Sequence, residues 1–248
     1  MSLPPKLTEA YRTEERIKRR FAQAVRQFCL IEPDDCLLIG LSGGKDSLAL
    51  MELLADYRRR SPYPFHLKAL HVRTEGIDYL TDTTYLQQWA NRCGVPLLVR
   101  TTRFETDRNS RRTPCFLCSW NRRKLMFETA QAEGCNKIAL GHHQDDILHT
   151  ALMNLSFGGS FSTMPVLLRM RKFPITIVRP LCLEHEADIA FMAREHAYVE
   201  QIKRCPHENK SQRTQAAEQF GKLCNYAPEF RQNLWHALQK EGKLVETE

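Results

Sequence analysis

Residues 36 to 54 read CLLIGLSGGKDSLALMELL, and this stretch decides the fold. An apolar run, Cys36 to Leu41, is followed by a short polar turn, and then by Leu48, Ala49, Leu50, Met51, Leu53 and Leu54 at helical spacing. The reading is strand, phosphate loop, helix. Two glycines, Gly43 and Gly44, leave no Cβ over the backbone, so successive N–H groups can converge on an anion at the positive end of the following helix. Lys45 adds a mobile cation, and Asp46 with the hydroxyls of Ser42 and Ser47 can serve Mg²⁺ and phosphate oxygens. The Walker loop needs four residues between its first glycine and Gly-Lys-Ser/Thr, and that spacing is absent. A loop this short holds one pyrophosphate-sized group. The ligand it fits is the pyrophosphate portion of ATP, released when AMP is transferred.

The hexapeptide Ser42 to Ser47 resembles the Ser-Gly-Gly-x-Asp-Ser loop of the PP-loop ATP pyrophosphatases. That superfamily includes adenylating synthetases and tRNA-modifying enzymes, so the loop defines the chemistry of ATP more closely than it defines the acceptor.

Outward from the loop, short apolar runs alternate with helical stretches. Cys36 to Leu41, His66 to Val72, Val95 to Arg100, Lys137 to Gly141 and Ile175 to Val178 read as strands. Helices are expected at Thr8 to Cys29, Asp46 to Arg60, Thr81 to Cys93, Ser119 to Glu133, Ile147 to Phe157, Glu184 to His196, Ser211 to Leu223 and Pro228 to Glu241. This alternation predicts an α/β fold: a Rossmann-like parallel sheet with helices on both faces and its ligands at the carboxyl ends of the strands. The expected organisation is an N-terminal helical arm over residues 1–30, an ATP-binding α/β domain over 31–182, and a helical C-terminal region over 183–248.

Composition fits this architecture. The chain has 248 residues, is 42% hydrophobic and 26% charged, and has no uninterrupted apolar stretch near the ~18 residues of a membrane helix. Met1 to Lys6 carries no apolar signal region, so a cytoplasmic location is expected. Nine cysteines, an odd number, are expected to be reduced thiols or metal ligands rather than a disulfide scaffold. The net charge of +7 is unevenly placed, with basic runs at Lys18 to Arg20, Arg58 to Arg60, Arg111 and Arg112, Arg122 to Lys124, Arg169 to Lys172, and Lys203 and Arg204. Such clusters suit a polyanionic partner.

A second motif follows the strand at Lys137: Gly141, His142, His143, Gln144, Asp145 and Asp146. Taken alone, Asp145 would be a helix N-cap and the histidines surface residues. At the carboxyl end of a central strand, the carboxylates could instead hold Mg²⁺ on ATP phosphates, and a histidine could stabilise charge as pyrophosphate leaves. The motif resembles that of the tRNA-modifying PP-loop branch, as does the later set Asn154, Gly158, Gly159, Met164 and Pro165. The paired glycines are expected to let a loop approach the ligand closely.

Cys115 and Cys118 form a Cys-x-x-Cys after Pro114, with Arg122 and Arg123 beyond it. That spacing can present two thiolates to one metal, serve a redox pair, or simply pack. Candidates to complete a metal site are Cys205, Cys224, Cys182 and Cys135. Pro-Cys-x-x-Cys with Arg-Arg, then Lys137 to Leu148 with its Gly-His-His-x-Asp-Asp, then Cys205 followed by Gln212-Arg213 is similar to the tRNA 2-thiocytidine synthases, the TtcA group, from about Arg19 to Arg213. The resemblance implies a 4Fe–4S cluster held by Cys115, Cys118 and Cys205, with one iron free of protein ligands. It implies ATP and Mg²⁺ at Ser42 to Ser47, Gly141 and His142, with Lys45, Asp46 and Asp145 in catalytic roles. Adenine is expected near His71 and Val72 by analogy of fold. The implied partners are tRNA, a sulfur donor (a cysteine desulfurase or sulfide) and a second copy of the chain. The sequence around Cys205 departs from the group, and His207 could close a zinc site as a fourth ligand. Rival readings are a sulfur-independent adenylating enzyme (lysidine synthetase-like, or an amide ligase) and a non-catalytic, zinc-containing RNA-binding protein.

Overall fold

The computed structural model describes residues 5–75, 79–80, 82–103, 114–171, 173–203 and 212–246. Seven strands form the main sheet: β1 (Cys36–Gly40), β2 (His66–Thr74), β4 (Leu97–Thr102), β5 (Lys137–Ala139), β6 (Leu167–Arg169), β7 (Thr176–Val178) and β9 (Val245–Glu246). Their order is β4-β2-β1-β5-β7-β6-β9, and every pairing is parallel except that of β6 with β7. Two further strands, β3 (Tyr79–Leu80) and β8 (Ile202–Lys203), pair antiparallel in a separate ribbon. The parallel sheet expected from the sequence is the one formed. β6 and β9 were not foreseen, because runs of three and two residues carry no periodic signal.

The pleat sorts the strand side chains between two layers. Leu37 and Ile39 of β1, with Ala139 of β5, join the larger core, while Leu38 and Ile138 point to the smaller one. The smaller core packs under a single helix, α4 (Pro114–Ala132), through Phe127 and Ala130. The larger one is covered by α1 (Pro5–Gln27), α2 (Lys45–Arg60), α3 (Thr83–Cys93), α5 (Gln144–Gly158), α6 (Glu186–Glu195), α7 (Gln212–Tyr226) and α8 (Phe230–Lys240). Among the described residues no helix is long and apolar enough to cross a membrane.

The N-terminal helical arm expected over residues 1–30 contains α1, whose Ile17, Phe21, Ala24 and Val25 are fully buried in the larger core. Arg16 and Arg20 also clasp Asp188 of α6 at 2.9 and 2.6 Å. The same core takes in Ile189, Phe220 and Trp235, so the helices after residue 182 share it. The helix expected from Ser119 begins five residues earlier, at Pro114, where proline's missing N–H costs nothing and its φ is already helical. Both residues of the Cys-x-x-Cys therefore lie on a helix, one turn apart.

Candidate nucleotide-binding site and the cysteine helix

β1 delivers the chain to Ser42, and α2 starts at Lys45, so the intervening turn sits on the first amides of a sixteen-residue helix. Gly43 has φ +87°, which only glycine adopts without strain, and its carbonyl accepts the N–H of Gln201 at 2.9 Å. Ser47 fastens the turn from within: its hydroxyl donates to Gly44 O at 2.9 Å and accepts from Gly43 N at 3.1 Å. Ser42 Oγ accepts the Gly44 N–H at 3.3 Å. The Lys45 N–H points to a carboxylate oxygen of Glu200, 3.4 Å away. An anion on that amide suits the positive end of a helix.

The second wall comes from β5 and the start of α5. A Cβ on Gly141 would lie 2.9 Å from the carbonyl oxygen of Asp46, so only glycine lets the two motifs touch. A cavity of about 390 Å³ opens between them. It is lined by Ser42, Asp46 and Ser47 from the loop, Leu70 and Val72 from β2, Gly141, His142 and Asp146, Arg122 and Met126 from α4, and Arg213 from α7. The volume is in the range of sites for small cofactors.

Charge is concentrated here. Lys45 Nζ lies 3.3 Å from Asp46 and 3.5 Å from Glu186. Burial opposes its charge, but the two carboxylates win and hold its pKa above the ordinary value. Burial raises Asp46 in spite of Lys45, whose ammonium faces the buried Asp46 Oδ1. His143 Nε2 stands 3.9 Å from Asp46 and 3.6 Å from Asp146. Burial, with Arg179 nearby, pushes His142 down to about 4, so a neutral imidazole lines the cavity, its Nδ1 without a hydrogen-bond partner among the described residues. Buried polar atoms beside a lysine and loop amides suit a phosphate chain with its counter-cation. Asp46 and Asp146 are the two carboxylates on the cavity wall that could hold a cation.

The cavity does not gather every residue singled out in the sequence. Ser42, Asp46, Ser47, Val72, Gly141 and His142 line it, and Lys45 stands beside Asp46. Gly43 and Gly44 shape the turn. His71 is buried beneath it, with Nδ1 2.8 Å from Leu41 O, and so supports the strand end from below. Asp145 faces the helices instead: one oxygen takes a bond from Arg231, the other accepts the Glu186 N–H at 2.9 Å at the start of α6. Despite burial, these donors hold its carboxyl below the usual range. Gly158 and Gly159 have open space around them, and Gly159 ends α5 in the left-handed conformation (φ +59°).

Sequence reasoning gave Arg122 only a general role in a basic cluster and used Arg213 only as the end of a resemblance. Glu200, Gln201 and Arg231 were missed altogether. Arg213 holds Thr150 Oγ1 at 3.2 Å and reaches to 3.9 Å from Asp146, which ties α7 to the cavity wall. Cys118 Sγ lies 3.9 Å from Thr74 Oγ1 at the end of β2, and Arg122, one turn along α4, enters the cavity. Cys205 and His207 lie outside the described residues, as does the side chain of Cys115. Among the described residues no three His, Cys, Asp or Glu side chains form a ready metal site.

Residues 13–201 match the family model described as the PP-loop domain. A tRNA-cytidine(32) 2-sulfurtransferase of Bdellovibrio bacteriovorus is 36% identical over 188 residues, covering 74% of this chain and 71% of the relative. One from Anaeromyxobacter dehalogenans is 32% identical over 237 residues, covering 94% and 81%. The chain belongs to the PP-loop tRNA-cytidine(32) 2-sulfurtransferase family. The fold agrees: the U34-tRNA thiolase NcsA from Methanococcus maripaludis, solved with its 4Fe–4S cluster, superposes with a TM-score of 0.74 at 24% identity, over 95% of this chain and 80% of that one. The loop, the Gly141 to Asp146 motif and Cys118 thus belong to a family of RNA-directed sulfur-transfer proteins.

Proposed function

We propose that this protein is a cytoplasmic, ATP-dependent tRNA thiolase that activates C2 of an anticodon-loop cytidine and replaces its oxygen with sulfur. One observation supports it above the rest: the helix that carries Cys115 and Cys118 also sends Arg122, one turn beyond Cys118, into the wall of the phosphate cavity. A nucleotide site and a thiol site on one rigid helix suit two consecutive reactions at one carbon.

In the first, the C2 oxygen attacks the α-phosphorus of ATP, the bond to the β-phosphate breaks, and pyrophosphate leaves. The ammonium of Lys45 and its backbone amide would face the charge that grows on the departing group. Glu200 must yield its place on the Lys45 amide as phosphate enters. Asp46 and Asp146 would hold Mg²⁺, which when bound offsets phosphate charge. His142, neutral at physiological pH, offers a hydrogen bond and no second positive charge. Arg122 and Arg213 add cations from opposite sides of the cavity.

In the second reaction a sulfide adds at C2, and AMP departs with the former C2 oxygen. No electrons are gained or lost. Cys115, Cys118 and Cys205 would hold a 4Fe–4S cluster, which when bound supplies an iron without a protein ligand as a carrier for sulfide. A cysteine desulfurase or free sulfide would be the donor, and the enzyme would act as a homodimer.

The test is anaerobic purification with iron, sulfide and zinc analysis, followed by mass analysis of nucleosides from tRNA incubated with ATP, Mg²⁺ and sulfide. A coloured protein with about four irons and ATP-dependent 2-thiocytidine is expected. A colourless protein with one zinc, or thiolation that proceeds without ATP, would overturn the reading.

A further inference from the structure

The cavity uses one side of α4, and the opposite side is built for contact. Phe116 and Trp120, one turn apart, are 45% and 47% exposed. Arg123 and Lys124 are exposed on the same helical face, and the Lys124 ammonium sits 5.7 Å from the indole centroid of Trp120. Positions 116, 120, 123 and 124 share this face by helical spacing, while Cys118 and Arg122 look toward β2 and the cavity. The other two tryptophans, Trp89 and Trp235, are buried. An exposed indole flanked by cations is suited to a flat, negatively charged ligand.

We infer that Trp120 is a stacking platform for an unpaired base of the tRNA substrate, with Arg123 and Lys124 on the adjoining phosphates; this rests on the tRNA-thiolase reading above. Single-stranded RNA offers π faces at every base and a phosphate beside each, the two chemistries this face presents. Among the described residues the acid paired with it is Glu128, 3.7 Å from Lys124 and one turn further along. A second copy of the chain docked here about a two-fold axis would set cation against cation. A helix is ~10 Å wide, so a base on Trp120 is a neighbour of the base in the cavity, not the reacting base itself. The platform would position the loop and set which flanking nucleotides are accepted.

The experiment is equilibrium binding of a full-length, unmodified tRNA transcript to the intact protein without ATP, by fluorescence anisotropy at several salt concentrations. W120A should weaken binding roughly tenfold, as expected for the loss of one stacked base, while W120F should stay within about threefold of the parent. R123A and K124A should each lower the slope of log affinity against log salt by about one. Binding should also quench tryptophan emission in the parent protein and not in W120F, because Trp120 is the exposed indole. Thermal melting and ATP affinity should be unchanged in W120A. If the parent binds tRNA and W120A binds equally well, the platform is wrong and the thiolase reading stands. If the parent binds no tRNA, both fall. If W120A alters the monomer–dimer equilibrium in sedimentation and leaves tRNA affinity intact, the face joins copies of the chain and the inference is overturned.

Discussion

The two ends of the central sheet treat charge in opposite ways. At the amino ends of β1 and β5, Lys137 is buried and fully committed: its ammonium meets Asp35 at 2.7 Å, Glu32 at 3.1 Å and Leu30 O at 3.2 Å. Asn136 closes the ring, donating to Asp35 Oδ1 at 2.7 Å and accepting from the Cys36 N–H at 2.9 Å. At the carboxyl ends of the same strands, His142 Nδ1 and His143 Nδ1 are buried without hydrogen-bond partners among the described residues, and Asp46 Oδ1 has only the ion pair with Lys45 at 3.3 Å and His143 Nε2 at 3.9 Å. Burying polar atoms unpaired destabilises a fold, so their presence at one end and satisfaction at the other separates a site from a scaffold.

The sharpest way to break this contrast is at the amino end. Lys137→Met keeps the apolar stem and leaves Asp35 buried without its cation, which should cost about 3–5 kcal/mol. Thermal melting should fall by on the order of 10 °C, while KM for ATP in the folded fraction stays within about twofold. The mirror experiment is Lys45→Ala or Asp46→Ala. Thiolation per turnover should drop about 10²- to 10³-fold, the usual loss when one preorganised electrostatic partner is removed, with melting unchanged or raised. A Lys45 variant that melts well below the parent would erase the distinction between the two ends.

Glu184 carries the contrast into pH dependence. It follows β7 on the carboxyl side of the sheet, is fully buried, has neither carboxylate oxygen hydrogen-bonded among the described residues, and has Arg20 at 3.8 Å. Burial pushes its carboxyl up to about 8. The folded state therefore keeps a proton that the unfolded chain releases near its ordinary carboxylate range. Stability falls as pH rises from about 4.5 to 8 and levels off above. Glu184→Gln should remove that slope, gaining on the order of 2–4 kcal/mol near pH 8.5 and little near pH 5. Chemical denaturation at the two pH values reads the difference.

These experiments probe features that differ in how well the chain announces them. The turn from Ser42 to Ser47 and the strand–helix alternation around it were legible because they are local: backbone freedom at glycine, apolar period and helix polarity all lie within a few residues. Gly141 was legible as a motif, but its reason, contact with the backbone of Asp46, is tertiary. Nothing local distinguishes Asp145 from Asp146. Adjacent helical positions diverge by about 100°, and the packing of α6 and α8 gives Asp145 to Arg231 and Glu186 and leaves Asp146 to the cavity. Arg122 and Arg213 needed the fold for the same reason, since their place follows from how α4 and α7 cross the strand ends.

That adjacent pair gives a comparison at the scale of one residue. Asp145→Asn should lower stability by about 1–2 kcal/mol at neutral pH, because its hydrogen bond to a cation is weakened while activity needs no change in the cavity. The donors hold its pKa down, so this stabilisation is present above the ordinary carboxylate range and fades as pH falls through the lowered value. Asp146→Asn should instead raise the Mg²⁺ concentration needed for half-maximal thiolation severalfold. A magnesium titration beside a melting curve for each variant separates them, and matching behaviour in both assays would merge the two roles.

The mildest effect is expected from Glu200, which stands where the entering anion must go. Its carboxylate faces the Lys45 amide across 3.4 Å, a weak contact at a largely exposed position, so its displacement costs little. It nevertheless repels phosphate in the free protein and occupies one of the few donors that the turn offers. Glu200→Gln removes the charge and keeps the shape, and should tighten ATP binding about two- to fivefold, near the ~0.3–1 kcal/mol of a charge at a helix end. The gain should shrink at high ionic strength, since the residue is exposed to screening. Isothermal titration at two salt concentrations measures both quantities. Weaker binding in the variant would mean that Glu200 holds the turn in its binding shape and does not compete for it, which would move this carboxylate from the open end of the sheet to the paired one.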